Sequence, residues 1–82
     1  MLYQPLKTRI VSLEGKKSQD LDAQTGAVLV PENGSKIFIH WLTDKGQIRS
    51  TYTMTYATKI EGKVKLINGS DNPTVIQVIH LD

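Results

Sequence analysis

His40 and His80 are the only imidazoles in the chain, and cysteine is absent. Metal binding or acid–base work by these histidines would need carboxylates or a second imidazole at ligand spacing, such as His-x-His or His-x-x-x-His. No such spacing occurs. The plainer expectation is that His40 packs beside Ser50 and that His80 closes the last strand. Asp20-Leu21-Asp22 has the spacing that opens a calcium loop, but the third acidic ligand, the early glycine and the distal glutamate are missing. These aspartates read as solvated charges at a helix start. Gly15-Lys16-Lys17-Ser18 matches the end of a phosphate loop, yet Ile10 stands where the first glycine of that loop belongs, which excludes nucleotide hydrolysis by a P-loop. Asn33-Gly34-Ser35 and Asn68-Gly69-Ser70 match the N-glycosylation pattern, but Asn-Gly is also what tight turns use, and the turn reading is preferred. No activated serine motif, dinucleotide glycine pattern or carboxylate dyad is present. The expectation is a protein that is not an enzyme and holds no metal or cofactor.

One arrangement stands above this background, and it depends on strand register. Asp44-Lys45-Gly46 and Ile60-Glu61-Gly62 both fit three-residue hairpin loops with glycine in the left-handed region. The first loop would set Thr43 opposite Gln47, Leu42 opposite Ile48, Trp41 opposite Arg49 and Phe38 opposite Tyr52. The second would set Lys59 opposite Lys63, Thr58 opposite Val64 and Tyr56 opposite Leu66. One face would then run from Trp41 and Arg49 through Thr51, Thr53 and Thr55 to Lys59, Lys63 and Lys65. A cation beside an aromatic ring, then hydroxyls, then lysines, can hold a polyanion by stacking and charge. The competing expectation is that Trp41 belongs to the core and that the lysines form a solvated edge that discourages aggregation.

The elements that position these residues are strands. Apolar residues recur with period two and many are β-branched. A first strand is expected over about 6–13, a second over 27–30, a third over 36–43 and a last over 74–81. Residues 47–60 keep one unbroken phase, from Ile48 and Ser50 through Tyr52, Met54 and Tyr56 to Thr58 and Ile60. That pattern suggests a single long strand that bends to serve two halves of the fold. Residues 18–25, with Ser18 as cap and Gly26 beyond the end, are the one place for a short helix. Asn33-Gly34 predicts a tight hairpin with Val30 opposite Ile37 and Leu29 opposite Phe38. The expected fold is mainly β, an antiparallel meander in a small barrel or two-layer sandwich of about six strands.

The chain has 82 residues, net charge +2 and 39% hydrophobic residues, which suits a single β-rich domain over 1–82. No secretory signal pattern or apolar span of membrane length is visible, so a cytoplasmic protein with no membrane partner is expected. A charge of +2 is compatible with nucleic acid, with an acidic protein or with neither. Strand-rich, mildly basic sequences are typical of small barrels that bind single-stranded nucleic acid or RNA, and such barrels also serve as protein adaptors. Two functions follow as expectations. One is a nucleic-acid-binding module using Trp41, Arg49, Lys59, Lys63 and Lys65. The other is a protein-binding adaptor or inhibitor that docks through a sheet edge or an apolar patch.

Overall fold

The structure, a computed structural model, describes residues 7–32 and 35–81. Six strands are formed: β1 (Thr8–Leu13), β2 (Ser18–Pro31), β3 (Ile37–Leu42), β4 (Ile48–Met54), β5 (Thr58–Asn68) and β6 (Thr74–His80). They pair antiparallel in one sheet with spatial order β1-β6-β2-β5-β3-β4. The described residues include no helix. The mainly-β, antiparallel class is the one the alternation demands. The edge strands β1 and β4 do not pair with each other, so the sheet is open.

The expected helix at 18–25 is instead the first half of the longest strand, β2. Leu21, Ala23, Ala27 and Leu29 are all buried, which is the period of a strand and not of a helix turn. Ala23 pairs with Gly62 and Ala27 with Ile60, so Gln24, Thr25 and Gly26 together oppose the single residue Glu61. This bulge bends the ladder. Gly26 and Gly62 face it from the two strands with φ of 98° and 94°, conformations that cost a residue with a Cβ. Beyond the bulge, β2 pairs with β6 on one side and β5 on the other. The long bent strands that serve two halves of the fold are therefore β2 and β5.

The expected strand over 47–60 breaks at Thr55–Ala57, and β4 ends at Met54. Gly62 has the positive φ expected of it, but inside β5 and not in a hairpin loop. The pairs Lys59–Lys63, Thr58–Val64 and Tyr56–Leu66 do not form, because β5 runs on and pairs with β2 and β3. The meander fails for the same reason. Among the described strands only β3 and β4 are neighbours both in sequence and in the sheet. Val30 pairs with Gln77 of β6, and Ile37 pairs with Met54 and Asn68. The expected Val30–Ile37 and Leu29–Phe38 pairs are thus replaced by long-range ones. Asn33 and Gly34 lie outside the described residues.

The first hairpin forms as its turn chemistry predicts. Gly46 has φ of 81°, the Gly46 N–H donates to the Thr43 carbonyl at 2.9 Å, and the Thr43 N–H donates to the Gln47 carbonyl at 2.8 Å. Leu42 pairs with Ile48 as expected, but Trp41 then pairs with Ser50, leaving Arg49 as the extra residue of a bulge. The slip of one residue sets Phe38 opposite Thr53 and His40 opposite Thr51. It also preserves burial: Met54 now shares a face with Ile37 and both are fully buried.

One face of the sheet holds the core: Val11, Leu13, Leu21, Leu29, Ile37, Ile39, Ile60, Val64, Leu66, Ile76 and Val78 among others. Burial of most of one face of a single sheet requires the sheet to coil over itself. Arg9–Ser12 of β1 accordingly border the same depression as Gln19 of β2, a strand with which β1 does not pair. At one end the core is locked by Asn68, whose side chain is fully buried. Its amide donates to the carbonyls of Leu13, Glu14 and Asn72 at 3.1, 3.2 and 2.8 Å, and its oxygen accepts from the Ser70 N–H at 3.0 Å. This side chain joins the loop after β1 to the loop after β5.

Candidate functional site

The polar candidates divide between the two faces of the sheet. Residues directly opposite in an antiparallel ladder share a face. Trp41 pairs with the fully buried Val64, so it lies on the core face, where it is partly buried and packs against the cluster. Lys65 pairs with His40 and Asp20, Lys63 with Asp22, and Lys59 with Val28. These lysines occupy the outer face of β5. Arg49 is exposed on β4, in the bulge. The structure therefore brings Lys59, Lys63 and Lys65 to one face and separates them from Trp41. It also sets a carboxylate directly across from Lys63 and another across from Lys65.

The remaining candidates serve the fold. His40 lies between Thr51 and Lys65, not beside Ser50, because of the bulge at Arg49. His80 ends β6 as expected and borders a shallow groove with Lys7, Asp22, Ala23, Gln24 and Thr25. Asp20 and Asp22 are exposed, on a strand and not at a helix start. Lys16, with φ of 62°, turns the chain between β1 and β2, and its ammonium donates to the Gly69 carbonyl at 2.9 Å. A Cβ on Gly15 would collide with the Asp71 carbonyl oxygen, so this glycine is required by loop packing. Asn68 is buried and fully engaged, consistent with a turn and not a glycan acceptor. Among the described residues, no group of three or more His, Cys, Asp or Glu could hold a metal ion. No helix there is long and apolar enough to cross a membrane.

What the sequence reading missed is the edge strand β4. Among the described residues it pairs only with β3, and its first six residues are all exposed, with Met54 alone buried. Ile48 and Tyr52 are 58% and 51% exposed, and Tyr56 just beyond is 83% exposed. Tyr52 pairs with the fully buried Ile39 and Ser50 with Trp41, so both stand on the core face. The core-facing side of the sheet therefore runs past its own cover at β4. Arg49 is the only charged residue on β4, and neither β3 nor β4 carries a carboxylate. The signal available in the sequence was Tyr52 and Tyr56 in phase with Met54. That phase reads as one continuous strand over 47–60, and a continuous strand shows no edge.

Comparison with protein-family models, with characterised proteins and with solved structures finds no match.

Proposed function

We propose that this protein is a non-enzymatic binding module that accepts an extended segment of a partner protein along the free edge of β4. The observation that carries this reading is the unfinished state of that edge. Among the described residues, this seven-residue strand is paired on one side only and leaves Tyr52 and Ile48 in solvent. Edge strands with this character are protected in most proteins by lysines, prolines or a covering element. β4 contains neither proline nor lysine, and its single charge is Arg49. Adding one strand would satisfy the backbone and cover the ring of Tyr52 on the core face, the arrangement used in strand-addition complexes. A polyanion site built from Trp41 and the lysines has less support, since the indole and the ammonium groups lie on opposite faces and Asp20 and Asp22 sit opposite two of the lysines.

The test is a selection of displayed peptides against the protein and against the Ile48→Lys and Tyr52→Lys double variant. The wild type should enrich peptides that slow amide hydrogen exchange in Ile48–Met54, and the variant should not. Enriched peptides that protect another strand, or single-stranded oligonucleotides that bind while no peptide does, would overturn the proposal.

A further inference from the structure

The two sides of β4 differ in chemistry, and a docked strand would meet both. On the core face its alternate side chains would lie beside Tyr52 and Ser50, next to Ile39 and Trp41. Apolar side chains there would extend the existing core and remove Tyr52 from water. On the outer face the row across from Thr51 runs through His40 and Lys65 to Asp20. Strands are spaced about 4.8 Å apart, so the carboxylate in this row would be about 19 Å from an added strand, with every cation in the region nearer. Closer to the edge, the loop that opens β4 carries Asp44 and Lys45, both exposed and of opposite sign, so screening over about 8 Å leaves Arg49 as the net charge of the edge. A negative residue on the incoming strand would therefore be attracted, and a positive one repelled.

We infer that the segment taken by the β4 edge alternates acidic with apolar residues, the acidic ones drawn to Arg49 and the apolar ones against Tyr52 and Trp41. This rests on the docking proposed above. A second copy of the chain is a poorer occupant. Arg49 is the only charge on β4 and Arg9 the only charge on the other edge strand, β1, so pairing like or unlike edges brings no opposite charges together.

The experiment uses the full chain and labelled ten-residue peptides that alternate valine with glutamate, lysine or serine. Binding is followed by fluorescence anisotropy at low and moderate salt, and its location by amide hydrogen exchange. The Glu-Val peptide should protect Ile48–Met54 and bind about tenfold more tightly than the Lys-Val peptide at low salt. Arg49→Gln should erase most of that preference, and Arg49→Lys should keep it. Both variants change an exposed side chain, and unchanged denaturation midpoints would show them folded. Equal binding of the three peptides at β4, or a preference unaffected by Arg49→Gln, would overturn the acidic assignment while leaving strand docking intact. Protection of β4 by none of the peptides would overturn the docking reading and this inference with it. Concentration-dependent dimers that protect β4 in the absence of peptide would assign the edge to a second copy and overturn the inference.

Discussion

The two edges of the sheet are built differently. β1 is an edge whose core face is covered by apolar residues, Val11 and Leu13, with only Arg9 exposed on that face, and the carbonyl of Leu13 accepts a bond from Asn68. β4 is an edge whose core face is left open at Ser50 and Tyr52, with only Met54 covered. At β1 the exposed apolar residue, Ile10, points to the outer face, opposite Gln77. At β4 the exposed Tyr52 is on the same face as the core. An edge can thus be exposed without being unfinished. The edge that leaves its core-facing row uncovered is the one with apolar area to lose on binding.

This contrast can be broken by substitution. The largest loss should follow Asn68→Asp, which places a carboxylate against the carbonyls of Leu13, Glu14 and Asn72. An uncompensated buried charge costs about 3–5 kcal/mol, enough to unfold a domain of this size in mild denaturant. Urea denaturation would report it, and a midpoint near that of the wild type would show that the lock at β1 is weaker than the geometry implies. Leu13→Ala, at the closed edge, should cost about 3 kcal/mol through lost burial and an unfilled cavity. Ile48→Lys and Tyr52→Lys, at the open edge, should each change stability by no more than about 0.5 kcal/mol. A Tyr52 variant as destabilised as Leu13→Ala would mean that the β4 edge is part of the core after all.

How much of this was legible beforehand differs along the chain. The strand class, the hairpin at Asp44–Gly46 and the positive φ at Gly46 and Gly62 follow from local chemistry, and they are present. Local chemistry failed where a signal had two meanings. Gly62 read as a loop because glycine in the left-handed region closes most hairpins, but here it faces a bulge in the partner strand. The true break at Thr55–Ala57, where the chain crosses from one side of β3 to the other, has no glycine or proline to announce it. Ser18 and Gly26 looked like helix caps, although Leu21 and Ala23 keep the strand phase of Ala27 and Leu29. The insertion of β6 between β1 and β2, and of β5 between β2 and β3, is set by long-range burial that no turn encodes. The separation of Trp41 from the lysines follows from that topology. The lysines do share a face, as the period-two pattern within β5 required.

A smaller effect sharpens the account of the bend. Gly62→Ala should cost about 1 kcal/mol, from the backbone conformation alone, because no atom lies within 4 Å of the added Cβ. A denaturation midpoint unchanged by this substitution would remove the strain argument. The smallest effect is expected at Lys63 and Lys65. Changing both to Gln removes their attraction to Asp22 and Asp20, which for exposed pairs is worth about 0–1 kcal/mol in total. A larger loss would indicate that the charges across the β2–β5 ladder do more than keep it soluble.

On the docking proposed above, the β4 edge is open in the free protein and closed by a partner strand. Residue-resolved amide hydrogen exchange, measured with and without a peptide selected on the protein, tests it most directly. In the free protein the central β2–β5 ladder should be the most protected region, and the amides of Ile48–Met54 that point away from β3 should exchange rapidly. On binding, those same amides should slow by about a hundredfold or more, as expected for bonds with about 2.7 kcal/mol of added protection, with little change at Thr8–Leu13. Slow exchange throughout β4 before any peptide is added, or protection that rises at β1 while β4 is unchanged, would contradict the claim.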